Sequence, residues 1–135
     1  MFYIALSFGL EDDPIAAVER MVGLVEETGH ANGVEHPIQM TIATSDGRGV
    51  WAFRYSSEGE SRSLFFGTRM DTLHTLYPDA GELVGLSDET QVVASEPLRH
   101  LPGVWNEVPE SQVGIVRPGE DELLPFAPRR AGATA

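Results

Sequence analysis

The sequence predicts an α+β fold, because a stretch with helical periodicity is followed by a series of short strand-like runs. In residues 15–25, apolar side chains recur every three or four positions. Beyond His36, short runs rich in β-branched and aromatic residues alternate with turn residues. The length of 135 residues suits one domain, and a hydrophobic content of 41% is enough for a core.

Two helices are predicted in the first 30 residues. Residues 2–8 form an apolar run compatible with a buried helix, although periodicity alone also allows a strand. The second helix has Asp12 or Asp13 as its cap, Pro14 at its first position and Gly29 as its end. Its apolar stripe is Ile15, Val18, Val22 and Val25, and the residues expected to face solvent are Glu19, Arg20, Glu26 and Glu27.

The remaining chain is predicted to be mostly strands. An Asp46-Gly47 turn joins the first two strands into a hairpin, in which Met40, Ile42 and Val50 are expected to share one buried face. The stretch 71–86 is expected to be a loop with one helical turn. The predicted strands are residues 39–44, 50–55, 64–66, 92–94, 113–116 and, as a last edge strand, 122–126. We assign residues 1–127 to one domain and 128–135 to a disordered tail.

Composition excludes several classes of function. The net charge is −12, with nine Arg and no Lys, which argues against a nucleic-acid partner because phosphates are neutralised by basic side chains. There is no Cys, and no apolar run approaches the roughly 20 residues of a membrane span. Residues 1–10 lack the basic start and cleavage site of a signal peptide, so we expect a cytoplasmic location. No metal or cofactor is expected, because His30, His36, His74 and His100 show no ligand spacing.

Ser95 and Glu96 are the best site candidates by position. They follow the apolar strand 92–94 at the point where Pro97 breaks it, and polar groups at such a strand end often face a pocket. The alternative is that both side chains hydrogen-bond backbone groups at the break. A serine hydrolase is disfavoured, because Ser95 lacks the flanking glycines of a nucleophile elbow. Trp51 and Trp105 are interpreted as aromatics of the core or its rim.

The stretch 91–116 resembles the end of the glutaminase domain in class II glutamine amidotransferases, which are N-terminal-nucleophile hydrolases. The resemblance rests on a short strand, Ala-Ser-Glu-Pro-Leu at 94–98, a Pro-Gly loop at 102–103, Trp105 and Val-Pro-Glu at 108–110. More narrowly, it is similar to the stand-alone subfamily related to the amidohydrolase of ergothioneine biosynthesis. Residues 2–14 resemble the helix-loop-helix in the middle of that domain. The resemblance implies an αββα sandwich of two antiparallel sheets between helical layers.

By this resemblance the chain is the C-terminal half of a domain about twice its size. Family members attack a glutamine amide with a Cys at the start of the mature chain, whose own α-amine is suited to act as the base. Here Met1 is followed by Phe2, so no catalytic residue is transferred, and only Ser95 and Glu96 map near the family pocket. The family's substrate-holding Arg, oxyanion element and amino-acid-gripping acidic motif all fall before the equivalent of Met1.

Two hypotheses about function follow. In the first, the chain is part of an amidohydrolase that cleaves glutamine or a γ-glutamyl amide only in the intact enzyme, and it is inactive alone. In the second, it is a non-catalytic protein-binding module derived from the same scaffold. In either case halving the sandwich would leave open sheet edges, so we expect self-association or a chain that supplies the other half.

Overall fold

The computed structural model describes residues 1–79, 87, 90–97 and 102–130, and the predicted α+β fold is confirmed there. Two helices come first, as expected, and a third helix lies between strands. The elements are α1 (Phe2–Ser7), α2 (Pro14–Ala31), β1 (Gln39–Ser45), β2 (Val50–Ser56), β3 (Phe65–Gly67), α3 (Met70–Leu76), β4 (Val93–Ala94), β5 (Trp105–Glu107), β6 (Gln112–Arg117) and β7 (Glu120–Pro125).

The first helix forms where the apolar run predicts it, but it is not buried. Only Ala5 of α1 is fully buried, and Phe2 and Tyr3 are 64% and 85% exposed. The apolar side chains of α1 point in all directions around the helix, and only the side with Ile4, Ala5 and Leu6 packs against the core. The prediction of a buried helix is therefore wrong, and its aromatic side chains lie on the surface.

The second helix begins as predicted. The Asp13 side chain caps it by accepting a hydrogen bond from the amide of Ala16 at 3.0 Å, and Pro14 occupies the first turn. The predicted end at Gly29 is wrong, because the helix continues to Ala31. Gly29 serves another purpose: a Cβ at this position would lie 2.5 Å from the ring of Pro37, so only glycine allows that close contact.

Two acidic residues of α2 that were expected to face solvent make tertiary contacts instead. Glu19 is 4% exposed, and its Oε2 atom lies 2.5 Å from Nε of Arg129. Glu26 accepts hydrogen bonds from the hydroxyls of Tyr55 and Ser57, both at 2.7 Å. Helical periodicity places these residues beside the apolar stripe, but it does not show which distant segments cover them. The prediction is corrected at both positions.

The strands form two antiparallel sheets. A four-stranded sheet has the order β1-β2-β6-β7, and a three-stranded sheet has the order β4-β3-β5. The predicted hairpin is confirmed, with Gly47 at a φ of +84° in the loop that follows β1. The last strand, β7, lies at a sheet edge as predicted.

The two central strands of the four-stranded sheet, β2 and β6, are largely buried on both faces. On one face Trp51, Phe53 and Tyr55 pack with the apolar side of α1 and α2, and Phe53 is fully buried. On the other face Ala52 packs with residues of the second sheet region, including Phe66. Successive residues of a strand point to opposite faces, so a sheet covered on both sides contains few polar positions.

The pairing register corrects the predicted hairpin face. Met40 lies opposite Tyr55 and joins the helix-facing cluster, whereas Val50 packs in the cluster between the sheets. Ile42 lies opposite Phe53 but is 38% exposed, because β1 is an edge strand. The prediction that Met40, Ile42 and Val50 share one buried face is therefore wrong.

Small residues allow the two sheets to approach closely. Ala52 and Gly114 are neighbours on adjacent strands, and a Cβ at Gly114 would lie 3.1 Å from a methyl group of Val108. Val108 is fully buried in the cluster between the sheets. A larger side chain at either small position would separate the sheets in a region packed at interior density.

A third hydrophobic cluster forms around α3 and includes one residue of the smaller sheet, Trp105 of β5. Met70 and Leu73 of α3 pack with Val104, and Trp105 lies at the rim of this cluster. A loop with one helical turn was predicted for residues 71–86, and α3 occupies the first part of this stretch. Residues 80–86 lie outside the described residues. Trp51, which is 9% exposed, and Trp105 are core and core-rim residues as interpreted. Two antiparallel sheets and three helices are present among the described residues, in agreement with the predicted fold class.

The segment after β7 packs on α2. The amide of Arg129 donates to the carbonyl of Glu19 at 3.0 Å, and a Cβ at Gly23 would lie 1.9 Å from the Arg129 carbonyl oxygen. Because Arg129 is held on α2, the predicted disordered tail does not begin at residue 128. Residues 131–135 lie outside the described residues. Among the described residues, no helix has the length and apolar character needed to cross a membrane.

The packing makes a stability prediction for Phe53. Phe53→Ala should lower the free energy of unfolding by about 3–5 kcal/mol, as is typical when a fully buried aromatic is truncated. Phe2→Ala removes the same type of side chain from an exposed position and should change the free energy of unfolding by less than about 0.5 kcal/mol. Denaturant unfolding of both variants measures this. Equal effects would show that the ring of Phe53 is not in the core.

Candidate functional site

Ser95 and Glu96 lie where β4 ends and line a cavity of about 330 Å³. The other lining residues are Arg62 and Ser63, which come from the loop before β3. The Ser63 hydroxyl donates to the Ser95 carbonyl at 2.8 Å, so the two walls of the cavity are joined. The structure therefore brings the two predicted residues to a pocket, together with two residues that the sequence did not single out.

The side chains of Ser95 and Glu96 do not hydrogen-bond the backbone at the Pro97 break. Both residues are exposed, and within the described part of the chain neither side chain has a hydrogen bond or ion pair. No contact therefore supports the alternative interpretation, in which both side chains hydrogen-bond backbone groups at the strand break. Both side chains remain available to a ligand in the cavity.

The predicted histidines do not form a catalytic or metal centre in the part of the chain that the structure describes. His30 contacts the Glu35 carbonyl at 3.2 Å, and His36 lies 4.0 Å from the Glu35 carboxylate, both on the exposed surface. No histidine there contacts Ser95, and no three acidic or histidine side chains are grouped to hold a metal. His100 lies outside the described residues. Among the described residues, no side chain is placed to act as a base for Ser95.

A polar network adjoins this pocket and was not predicted. Arg54 of β2 points between the sheets with its side chain 13% exposed. Its Nη1 atom donates to the Glu107 carboxylate at 2.6 Å and to the Val108 carbonyl at 2.9 Å. Its Nε atom donates to the Ser61 hydroxyl at 3.0 Å and lies 3.8 Å from the Glu110 carboxylate. A buried guanidinium is tolerated here because most of its donors have partners.

Glu110 holds the loop that leads to the pocket. One of its carboxylate oxygens accepts from the Ser56 amide at 3.0 Å, and the other accepts from the amide of Ser61 at 2.8 Å and from the Ser61 hydroxyl. Burial by itself raises the pKa of this carboxyl group. The hydrogen bonds from Ser61 and Ser56, together with the charge of Arg54, outweigh burial and lower the pKa of Glu110 below its ordinary value of 4.5.

The network and the pocket are continuous along the chain. Ser61 is bound by Glu110, the next residue, Arg62, lines the cavity, and Ser63 is bound to Ser95. Arg54 offered one signal for this arrangement, since it is a charged residue in an otherwise apolar strand. Glu110 belongs to the Val-Pro-Glu stretch, but the sequence does not show that this stretch meets the loop after β2.

The fold of this chain is similar to that of a solved structure, a glutamine aminotransferase class-II domain protein from Silicibacter pomeroyi. The TM-score is 0.74 and the sequence identity is 29%, and the match covers 95% of this chain and 50% of that chain. This chain thus spans about half the length of the protein it matches. The match supports the predicted resemblance to class II glutamine amidotransferase domains and the predicted fold class.

No protein-family model matches the chain, and no curated protein matches it either. The narrower resemblance to the ergothioneine-related subfamily stays a prediction, as do the residue roles near the pocket. The resemblance to this class of protein is thus supported by the fold match at 29% identity and by residues 94–98 and 102–110, which first indicated it.

The network predicts an acid-sensitive contribution to stability. Glu110→Gln should lower the free energy of unfolding at pH 7 by about 1–3 kcal/mol, because charge-assisted hydrogen bonds are lost. The folded-state pKa of Glu110 lies below its unfolded value of 4.5, so the contribution is complete above that value and is lost as pH falls through the folded-state pKa. The difference in the free energy of unfolding between the parent and Glu110→Gln should therefore become smaller as the pH falls.

Unfolding measured at several pH values between 7 and 3 tests this, with Glu122→Gln as the control. Glu122 is an exposed residue of β7, and its neutralisation should have little effect. If the loss of unfolding free energy caused by Glu110→Gln stays constant with pH, the charge of the Glu110 carboxylate is not responsible for that loss.

Proposed function

We propose that this chain forms the C-terminal half of a class II glutamine amidotransferase-like domain that hydrolyses glutamine or a γ-glutamyl amide in the intact enzyme. The main support is the similarity over 95% of the chain to a glutamine aminotransferase class-II domain protein. A finer part of the proposal is that the enzyme belongs with the stand-alone amidohydrolases related to ergothioneine biosynthesis.

In this proposal the nucleophile comes from outside these 135 residues. The chain contains no Cys, whereas the resemblance implies a Cys at the start of the mature enzyme. The α-amine of that residue, with an ordinary pKa of about 7.7–8.0, is suited to act as the base near neutral pH. This chain would contribute the scaffold of both sheets and one wall of the pocket, at Ser95 and Glu96.

The exposed apolar residues support a polypeptide partner. Phe2 and Tyr3 of α1 and Ile42 of the edge strand β1 are all exposed, and β1 has one unpaired edge. Open strand edges and exposed apolar side chains favour contacts with other chains. The partner would be a chain supplying the other half or a second copy. These features also suit the second hypothesis, a protein-binding module without catalysis.

The first functional prediction is that residues 1–135 alone release no ammonia from glutamine and no glutamate from γ-glutamyl amides. The reason is that the chain contains no Cys and that no described residue is placed to act as a base for Ser95. A coupled glutamate dehydrogenase assay detects the release. Turnover that survives repurification and is lost in Ser95→Ala would overturn the proposal in favour of a serine hydrolase.

The proposal also requires that activity appears when the other half is present. Co-expression with a segment that begins Met-Cys and supplies the N-terminal half should give glutaminase or γ-glutamyl amidase activity. Replacing that Cys by Ala should abolish it. A stable two-chain assembly that is inactive on every amide tested would favour the protein-binding module.

The isolated chain is predicted to self-associate or to bind hydrophobic dyes. Its net charge of −12 opposes association, but charges are screened beyond about 8–10 Å at ordinary salt. Sedimentation at low micromolar concentration, with and without 0.5 M NaCl, measures this. A monomer of 14.7 kDa with a sharp melt and no dye binding would show that the chain is a complete domain.

A further inference from the structure

A second cavity, of about 380 Å³, lies between the α1–α2 turn and the β1–β2 hairpin, and it shares no lining residue with the pocket at Ser95. Its apolar lining includes Phe2 of α1, Leu10 of the turn and Trp51 of β2. Leu10 and Trp51 are buried and form the floor, whereas Phe2 is 64% exposed and stands at the edge. The volume lies within the range of roughly 300–1,000 Å³ that is usual for small-molecule sites.

The rim of this cavity is acidic. Glu11 and Asp12 come from the α1–α2 turn and Asp46 from the hairpin, and none of the described residues that line the cavity is basic. The side chains of Glu11 and Asp12 have no hydrogen bond or ion pair in the part of the chain that the structure describes. Asp46 accepts hydrogen bonds from the amides of Arg48 and Gly49, which lower the pKa of its carboxyl group, so Asp46 is charged near neutral pH.

We propose that this cavity binds a small organic cation, a primary ammonium attached to an apolar body. The body would cover Leu10 and Trp51, and the ammonium would lie at the rim beside Glu11 and Asp12. Charge complementarity selects this ligand, because the rim carboxylates and the net charge of −12 attract cations and repel anions. The proposal goes beyond the proposed function and does not depend on it, since the two cavities have no residue in common.

Backbone contacts hold both walls of this cavity in place. In the α1–α2 turn, the amides of Asp12 and Asp13 both donate to the Gly9 carbonyl at 3.0 Å. In the hairpin, the Ser45 hydroxyl donates to the Gly49 carbonyl at 2.8 Å. Walls that are already formed reduce the entropy that is lost when a ligand binds.

The Trp51 side of the cavity suits the same class of ligand. The guanidinium carbon of Arg117, which does not line the cavity, lies 5.6 Å from the centroid of the Trp51 ring, so this ring already contacts one cation. Thr44 is the cross-strand partner of Trp51 and also lines the cavity. Its hydroxyl has no partner among the described residues and can accept a hydrogen bond from an ammonium.

The test is an NMR titration of the 135-residue chain with phenethylamine, phenethyl alcohol and hydrocinnamate. The three compounds have the same phenyl body, and their head groups are a cation, a neutral hydroxyl and an anion. The chain has two tryptophans, so the indole N–H signal of Trp51 reports on the cavity and that of Trp105, in the α3 cluster, is an internal control. Trp105→Phe assigns the two signals.

We expect phenethylamine to shift the Trp51 signal saturably and to leave the Trp105 signal in place. The alcohol and the carboxylate should bind at least about tenfold more weakly, because each lacks the charge that the rim attracts. Binding of the amine should also weaken as NaCl is added, since exposed charges are screened by salt. If the isolated chain is not folded, the same titration is run on the two-chain assembly.

Single variants test the rim and the apolar wall separately. Glu11→Gln and Asp12→Asn should each weaken binding of the amine about threefold and leave binding of the alcohol unchanged. Phe2→Ala should weaken binding of the amine and of the alcohol by the same factor, because it removes a contact with the phenyl body. Glu58→Gln is the matched control: it makes the same change in net charge at an exposed position beyond the other end of β2.

Equal binding of the amine and the alcohol, equal weakening by Glu58→Gln, or no shift of the Trp51 signal in a folded sample would overturn the proposal. Blocked lysine, Nα-acetyl-lysine methylamide, presents the same ammonium as a protein side chain. Tighter binding of this compound than of phenethylamine would overturn the small free amine in favour of a lysine of a partner protein. None of these results affects the proposed function, whose assays measure amide hydrolysis.

Discussion

The structure depends on the burial of both faces of the strand pair β2–β6. On the side of α2, Phe53 and its cross-strand partner Val113 are fully buried. On the opposite side, the pair Ala52 and Gly114 is small enough for the second sheet to pack directly on it. Since each residue of these strands meets one layer or the other, the helices and the smaller sheet are positioned by the same two strands.

Arg54 breaks this apolar pattern, and its position explains the neighbouring pocket. A charge between two sheets is costly unless its donors are satisfied, and Glu107, Glu110 and Ser61 satisfy them. The partners come from two segments distant in sequence, the loop after β2 and the β5–β6 region. The contacts that compensate the charge of Arg54 also hold Ser61 in the loop after β2. The next residue in this loop, Arg62, lines the cavity.

The similarity to an amidotransferase domain concerns scaffold more than chemistry. The chain matches half of that structure's length and contains no Cys. Ser95 and Glu96 line a cavity at a strand end, where their side chains are exposed and have no partner among the described residues. Fold similarity by itself does not establish activity, which depends on the groups present at the site.

The sequence by itself determined the elements whose signals are local. Asp13 and Pro14 start α2, Asp46-Gly47 turns the hairpin, and Pro97 ends the strand after Ser95 and Glu96. Tertiary structure alone decided which segments meet: Glu19 is buried, Ile42 is exposed, Arg54 meets Glu110, and the loop with Arg62 and Ser63 completes the cavity at Ser95 and Glu96. These outcomes depend on contacts between residues far apart in the chain, and local periodicity contains no information about such partners.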